Sequence, residues 1–256
     1  MLADKAESDT RTTIERVRLS ETDSTNDEAF RRAASGEGVP FWLTADRQTG
    51  GRGRRGRSWV SNEGNLFATL VYPVSRLPEP IGVLPLVSAL AVRNTISRAV
   101  GDKNRITIKW PNDVLCDGKK MSGILIEQQQ LDKCALVAIG VGINITSRPE
   151  IENYPTACLA EFGGDLSAND VWAILADNFE ICFSTWRGRD GFSGIRAEWL
   201  RHAAGLGETI IIAGEKSSKA GIFTTLDVNG YLVLQNKDGR IEKISTGDVI
   251  LRKSEP

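Results

Sequence analysis

The chain has 256 residues, 32 Lys and Arg against 33 Asp and Glu, a formal net charge of −1 and one histidine. Hydrophobic residues make up 41% and charged residues 25%, which is ordinary for a soluble globular protein and excludes disordered and collagen-like classes. The length predicts one large domain, or a large domain with a small one. The near-zero net charge argues against a protein whose entire surface binds nucleic acid.

The cysteines and the histidine do not have the spacing of a metal site. Cys116, Cys134, Cys158 and Cys182 contain no CxxC pair, and His202 lies outside any ligand spacing. Each cysteine stands among apolar residues, which favours a buried, hydrophobic role. No apolar run reaches 18 residues and the N-terminus is polar, so we expect no membrane span, no signal peptide and a cytoplasmic location.

The first elements follow from capping and apolar patterns. Residues 1–15 are predicted to be a flexible polar tail. Thr25 and Glu28 have the spacing of a capping box and predict a short helix that Gly36 ends. Two apolar runs then predict strands, over residues 40–45 and 65–72.

The middle of the chain alternates between helix and strand patterns. Apolar spacing predicts a helix over residues 83–100, and alternation predicts strands over 106–110 and 135–145. Asp117-Gly118 is a typical hairpin turn. It predicts a hairpin between residues 114–116 and 122–127.

The last third changes character at about residue 207. Before it, helices are predicted over residues 171–186, with Asp170 as the cap, and over 194–204. After it, Asn229-Gly230 and Asp238-Gly239 separate short strands. The sequence therefore predicts an α+β domain followed by a small all-β module.

Residues 47–57 hold five arginines and four glycines with no acidic residue; we call this segment the Gly/Arg loop. Residues 51–56 match the GxGxxG pattern, but a dinucleotide fold would require a helix after the loop. Residues 58–64 are turn-like and no βαβ unit follows, so that fold is rejected.

The chemistry of the Gly/Arg loop still favours a phosphate ligand. Glycines let the backbone approach an anion, and guanidinium groups bind oxyanions through two parallel hydrogen bonds. Like charges repel one another, so we expect the loop to be mobile until an anion orders it. A solvated surface loop and an RGG-like nucleic-acid patch remain alternatives from composition alone.

Four motifs in order around this loop resemble those of biotin–protein ligases. They lie at residues 23–26, 51–57, 109–113 and 120–127, and a glycine-containing strand follows at 140–144. The β-rich C-terminal segment is similar to the SH3-like module of that family. Lipoate–protein ligases share the catalytic architecture but usually lack the Gly/Arg loop, which favours the biotin enzymes.

The resemblance implies a fold and its boundaries. We expect an α+β catalytic domain with a class II synthetase-like mixed sheet over residues 16–206, and a small SH3-like β-barrel over 207–256. About 20 residues precede Asp23, too few for the DNA-binding domain of some family members. The resemblance therefore implies the short form, without repressor function.

The resemblance also implies a two-step reaction. Biotin and MgATP give biotinyl-5′-AMP and pyrophosphate, and biotin then passes to one lysine of a biotin carboxyl carrier protein or domain, as in acetyl-CoA carboxylase. No nucleic-acid or membrane partner is expected. Some family members form homodimers and others are monomers, so the oligomeric state stays open.

Site residues follow from the family motifs. Lys120 and Arg54 are expected to be catalytic, Lys120 by reaching the biotin carboxylate and the α-phosphate; Lys119 is its rival. Biotin would be bound by Ser24, Thr25, Asn26, Gln48, Gly51, Arg52, Gly53, Arg54, Lys120, Gly123, Ile124, Leu125 and Gly140. ATP would be bound by Arg54, Arg57, Trp59, Lys109, Asn112, Asp113 and Asn144, with Asp113 also holding Mg²⁺.

Three of these assignments have a purely structural alternative. Ser24 could serve only as a helix cap, Trp59 could be a core residue, and a buried ion pair would explain Lys109 with Asp113.

Overall fold

The computed structural model describes residues 14–101, 105–131, 134–151, 154–214 and 218–251. Most of the predicted tail therefore lies outside the described residues. A seven-stranded sheet has the order β1-β2-β3-β7-β6-β5-β4; β1 and β2 are parallel and all other neighbours antiparallel. Its strands are β1 Glu15–Thr22, β2 Phe41–Gln48, β3 Leu66–Pro73, β4 Ile106–Lys109, β5 Asp113–Cys116, β6 Lys119–Gln130 and β7 Ala135–Ile143. The expectation of a mixed sheet is confirmed.

Helices cover both faces of this sheet because its central strands are apolar on both sides. On β2, Phe41 and Leu43 pack toward α1, whereas Trp42 meets Phe179 of α3 edge to face, with ring centroids 5.3 Å apart. The helices are α1 Thr25–Ala34, α2 Leu84–Val100, α3 Ala168–Arg187 and α4 Gly191–Arg201.

The N-caps of two helices lie before the predicted capping residues, Thr25 and Asp170. The N-cap of α1 is Ser24, as one alternative from the sequence had it, and not Thr25 of the predicted capping box; the Ser24 side chain accepts a hydrogen bond from the backbone N–H of Asp27. In α3 the N-cap is Ser167, and Asp170 is the third helical residue of a reciprocal capping box. Hydroxyl and carboxylate side chains can fill either role, so the residue pattern alone shifts easily by a few positions.

The sequence missed β1, which begins at Glu15, inside the predicted tail. Its residues are mostly polar because it is an edge strand of the sheet, with β2 as its one neighbouring strand in the described sheet. The hairpin at Asp117-Gly118 is confirmed: their φ angles of 48° and 73° are those of a tight hairpin turn. It places Lys120 in β6 rather than in the turn.

The C-terminal module is a five-stranded antiparallel sheet of order β11-β10-β9-β8-β12, as the resemblance implies. The Trp110 Nε1 donates a hydrogen bond to the carbonyl oxygen of Gly230, 3.3 Å away, which joins the large domain to this module. Its strands are β8 Thr209–Ala213, β9 Ser218–Leu226, β10 Leu232–Gln235, β11 Ile241–Ile244 and β12 Asp248–Leu251.

One helical stretch, Ile81–Val100, is long and apolar enough by composition to cross a membrane. Within it, 72% of the most apolar window is buried inside the protein, as in a core helix. All four cysteines are free thiols; three are buried, as predicted, and Cys134 is half-buried.

Candidate active site

A cavity of about 280 Å³ lies where the start of α1, the glycine-containing parts of β6 and β7, and the Gly/Arg loop meet. Pro149, Ile151, Tyr154, Thr156 and Asp248, at the start of β12, complete its wall. Most of the predicted site residues line it: Ser24, Thr25, Asn26, Gln48, Arg52, Gly53, Arg54, Arg57, Trp59, Asn112, Asp113, Lys120, Gly123, Ile124, Leu125, Gly140 and Asn144. Gly51 and Lys109 stand behind this lining.

Gly51 has a backbone role at the base of the loop. Its carbonyl oxygen accepts a hydrogen bond from the Trp59 N–H at 2.9 Å. A Cβ added to Gly51 would lie 2.6 Å from the Trp59 carbonyl oxygen. Only glycine permits this close approach, which brings Trp59 back toward the cavity.

One end of the cavity is neutral and rich in hydrogen-bonding groups. The backbone N–H and the hydroxyl of Thr25 both donate to the Gln48 Oε1, at 2.9 and 3.0 Å. The Gln48 amide nitrogen donates to the Ser61 hydroxyl at 3.0 Å. The orientation of the Gln48 amide is thereby fixed, and this end suits an uncharged polar ligand.

Asn26 connects this neutral end to the sheet. Its Oδ1 accepts a hydrogen bond from the buried Thr69 hydroxyl at 2.7 Å, and its Nδ2 donates to a Glu127 carboxylate oxygen at 2.8 Å. A Cβ at Gly140 would lie 2.5 Å from the Asn26 Oδ1. The Asn26 amide therefore occupies the space that the missing Gly140 side chain leaves.

Two glycines that face each other across β6 and β7 form a flat shelf. Gly123 pairs with Gly142, and the Trp59 ring lies against both, since a Cβ would come within 2.9 Å of it at Gly123 and 2.5 Å at Gly142. Gly142 was missed in the sequence, although its alternation with Gly140 was the available signal. The Trp59 Nε1 is buried and has no hydrogen-bond partner among the residues that the structure describes.

Below the shelf, two lysines converge on one buried carboxylate. The Lys120 Nζ lies 2.7 Å from Asp113 Oδ1, and the Lys109 Nζ lies 3.3 Å from Oδ2. The Tyr154 hydroxyl donates to Asp113 Oδ2 at 2.5 Å and accepts a hydrogen bond from Lys109. We call these four residues the Asp113 cluster; Tyr154 was missed because it lies in a loop without a periodic pattern.

Burial and mutual charge set the pKa values in the Asp113 cluster. Burial lowers the pKa of Lys109, an effect that the Asp113 charge partly offsets. Burial alone would raise the pKa of Asp113, but Lys120 and Lys109 outweigh it and hold that pKa below its ordinary value. Burial and the Asp113 charge raise the pKa of Tyr154 well above its usual range, so this hydroxyl stays protonated.

The Gly/Arg loop contains a short 3₁₀ turn, Arg54–Gly56, and the next element is β3 rather than an α-helix. This agrees with the rejection of a dinucleotide fold. Acidic residues from elsewhere pair with its arginines. Arg52 is held by Asp27 and by Glu127, the latter at 3.1 Å, so its guanidinium is engaged within the protein. Whether the loop is mobile before ligand binding stays a prediction.

Three of the other arginines gather around the C-terminal module, whereas Arg47 pairs with Glu21 of β1 at 3.1 Å. Asp248 Oδ2 lies 3.2 Å from both the Arg55 and the Arg57 guanidinium groups. Arg54 donates to the Gly247 carbonyl oxygen at 3.2 Å and lies 3.7 Å from Asp248 Oδ1. We call Arg54, Arg55, Arg57 and Asp248 the Asp248 cluster.

The two asparagines that were predicted to bind ATP each donate a hydrogen bond to the backbone. The Asn112 Oδ1 accepts a hydrogen bond from Arg54 at 2.9 Å, and its Nδ2 donates to the Ile124 carbonyl oxygen. The Asn144 Nδ2 donates to the Ala157 carbonyl oxygen at 3.1 Å. Both side chains therefore have fixed orientations at the cavity wall.

The cavity beside the mixed sheet joins a neutral, hydrogen-bonding end to a cationic end, an arrangement that suits a polar ligand next to a phosphate-bearing one. Residues 14–144 match the biotin/lipoate A/B protein ligase family, and residues 205–252 match the biotin protein ligase C-terminal domain. The chain therefore belongs to the biotin/lipoate A/B protein ligase family, and the expectation of a ligase is confirmed.

Individual ligases are similar to this chain over most of its length. The biotin–[acetyl-CoA-carboxylase] ligase of Paracoccus denitrificans is 36% identical over 87% of this chain and 95% of its own length. The bifunctional ligase/repressor BirA of Bacillus subtilis is 34% identical over 82% of this chain, which spans 65% of that relative's length. The biotin protein ligase of Aquifex aeolicus, solved with biotin and ATP, is 28% identical with a TM-score of 0.79, covering 94% of this chain and 99% of its own.

Proposed function

We propose that this protein is a biotin–protein ligase. It activates biotin with MgATP to biotinyl-5′-AMP and pyrophosphate, and then transfers biotin to a lysine of a biotin carboxyl carrier protein or domain. The observation that carries the proposal is the single cavity that joins the neutral end at Thr25 and Gln48 to the cations Lys120 and Arg54. The match to biotin ligases over most of the chain supports the same reaction.

The first step brings two anions together. A carboxylate oxygen of biotin attacks the α-phosphorus of ATP, the bond between the α- and β-phosphates breaks, and pyrophosphate leaves. Cations that are already positioned stabilise the charge that develops on the phosphate oxygens. Lys120 stands next to the glycine shelf, with its Nζ 5.6 Å from the centre of the Trp59 ring, and supplies this charge at the reacting atoms.

In the second step the carrier lysine, as a neutral amine, attacks the carbonyl carbon of the mixed anhydride. An amide bond forms, AMP leaves with the bonding electron pair, and the amine loses a proton. Arg54 holds the adenylate in place until then, because its guanidinium is fixed by Asn112 and the Gly247 carbonyl oxygen. Positioning of the two reactants then supplies the main rate enhancement.

The proposed assignments follow the two ends of the cavity. Biotin contacts come from the neutral end and the shelf, through Ser24, Thr25, Asn26, Gln48, Arg52, Gly53, Gly123, Ile124, Leu125 and Gly140, and Gly51 supports the loop from behind the lining. Nucleotide contacts come from the cationic end, through Arg54, Arg57, Trp59, Asn112, Asp113 and Asn144, and Lys109 acts through its ion pair with Asp113. Ser24 serves both as helix cap and as part of the biotin end.

The residues present do not fit a resident Mg²⁺ at Asp113. Both carboxylate oxygens are engaged by Lys120, Lys109 and Tyr154. Among the residues that the structure describes, no three His, Cys, Asp or Glu side chains come together. Mg²⁺ readily takes its ligands from substrate phosphates and water, so we propose that the ion enters as part of MgATP.

The proposed partner is the carrier domain of acetyl-CoA carboxylase or a related carboxylase, and the proposed location is the cytoplasm. A homodimer remains a proposal that sedimentation of the purified protein would test.

The decisive experiment is transfer of radiolabelled biotin to an apo carrier domain in the presence of MgATP. We expect label on the carrier, none when its acceptor lysine is replaced by arginine, and none from radiolabelled lipoate. Labelling by lipoate in place of biotin would contradict the proposal and assign the protein to the lipoate branch of the family.

A further inference from the structure

A carboxylate of the C-terminal module stands in the middle of the arginines of the catalytic domain. Asp248 begins β12 and lines the catalytic cavity. Its Oδ2 lies 3.2 Å from both Arg55 and Arg57, and its Oδ1 lies 3.7 Å from Arg54. One carboxylate therefore neutralises part of the charge of three guanidinium groups.

The backbone supports this arrangement on both sides. The residue before Asp248, Gly247, accepts a hydrogen bond from Arg54 at 3.2 Å. In the loop, Arg55 has a left-handed φ of 57°, which is uncommon for a residue other than glycine. The Arg57 Nε donates to the Arg54 carbonyl oxygen at 3.2 Å, so the three arginines form a compact group facing Asp248.

Without a counter-charge this compact group would separate. Three guanidinium groups within a few ångströms repel one another, and the Arg57 side chain is already 61% exposed. A guanidinium has five N–H donors. Asp248 engages few of them, so it holds the arginines together while donors remain available to a phosphate.

We infer that Asp248 is a positioning residue: its carboxylate gathers Arg54, Arg55 and Arg57 at the cavity and restricts the Gly/Arg loop, and nucleotide binding then completes the ordering, so that the C-terminal module contributes to the nucleotide site. This inference rests on the proposed function for its kinetic consequence only. The loop contact itself concerns the protein without substrate.

The test compares Asp248→Asn and Asp248→Glu with the wild type in the full-length protein. Asp238→Asn is the matched control, because Asp238 lies in the same module and pairs only locally with Arg240. Biotin-dependent ATP–pyrophosphate exchange gives KM for ATP and for biotin, and limited trypsin digestion without ligands reports cleavage at Arg52–Arg57. Thermal unfolding shows whether the module stays folded.

We expect Asp248→Asn to raise KM for ATP by about five- to tenfold, the effect of losing an interaction of roughly 1 kcal/mol. KM for biotin should change less than twofold, and trypsin should cleave the loop faster. Asp248→Glu should lie closer to the wild type in both measurements, and Asp238→Asn should match it.

An unchanged or lowered KM for ATP in Asp248→Asn would overturn the inference, since the carboxylate would then be neutral or a competitor of phosphate. Equal losses in the Asn and Glu variants, or equal increases in both KM values, would also overturn it. If the wild type shows no biotin-dependent exchange, the proposed function fails instead. Loop cleavage that is the same in Asp248→Asn and wild type would then contradict the loop contact by itself.

Discussion

The Asp113 cluster and the Asp248 cluster both pair several cations with one carboxylate, but they are built differently. The side chains of Lys109, Lys120 and Asp113 are 10–19% exposed and stand on neighbouring strands of one sheet. The arginines around Asp248 are 22–61% exposed and belong to a loop that faces a separate module. The first arrangement fixes two lysines against one carboxylate, and the second leaves the surrounding cations more exposed to solvent.

The largest expected effect comes from breaking the Asp113 cluster at Lys120. Lys120→Ala should slow biotin-dependent ATP–pyrophosphate exchange by about 10²–10³-fold, the usual effect of losing one positioned charge in a dry site. Lys119→Ala is the control, since this neighbouring side chain is exposed and should leave exchange unchanged. Near-wild-type exchange in Lys120→Ala would remove the catalytic role from this cluster.

Gly142→Ala tests the position of Trp59, which connects the two clusters. The Trp59 ring lies beside Lys120, and Trp59 follows Arg57 by two positions in the chain. The new Cβ would lie 2.5 Å from the indole, so the ring must move, and unfolding in urea should show a loss of about 1–3 kcal/mol. Gly38→Ala is the matched control, because nothing lies within 4 Å of its Cβ position. Equal stability of the two variants would mean that Trp59 is free to leave the shelf.

Acid should weaken the Asp113 cluster in a defined direction. Because the folded-state pKa of Asp113 lies below the ordinary 3.8, its contribution is present above that pH and is lost as the pH falls toward the folded-state pKa. The difference in slope approaches about 1.4 kcal/mol per pH unit. Urea unfolding between pH 6 and pH 3 should therefore depend less on pH in Asp113→Asn than in the wild type; parallel curves would contradict the coupling.

The smallest expected effect is that of salt on the Asp248 cluster. Raising the salt concentration from 0.1 M to 1 M shortens the screening length from about 10 Å to about 3 Å, which weakens exposed ion pairs. Trypsin cleavage within the Gly/Arg loop should rise about two- to threefold, relative to Asp248→Asn under the same conditions. A ratio that does not change with salt would mean that hydrogen bonds, rather than charge, hold the loop.

The sequence predicted the Asp113 cluster better than the Asp248 cluster. Lys109, Asp113 and Lys120 lie close together along the chain, on strands that apolar alternation and one hairpin turn define. Asp248 and Tyr154 reach the cavity through long-range contacts that no local pattern records. Composition showed five arginines without an acid in the Gly/Arg loop. The fold supplies the acids from distant parts of the chain: Glu21, Asp27 and Glu127 of the large domain, and Asp248 of the C-terminal module.

The edge strand β1 was missed for a related reason. Its residues pair with β2 alone, so the strand lacks the apolar run that identifies a central strand. Thr69 also went unrecognised as a partner of Asn26, because the contact depends on the register of β3 against β7, where Thr69 faces Gly140.

The position of Asp248 in the chain sets an order of assembly. Among the described residues that line the cavity, it is the last to be synthesised, and domains fold from the N-terminus as they emerge from the ribosome. A nascent chain that has reached residue 214 already contains every member of the Asp113 cluster, but not the carboxylate that pairs with Arg54, Arg55 and Arg57. These three arginines therefore gain this partner only after the C-terminal module has left the ribosome and folded.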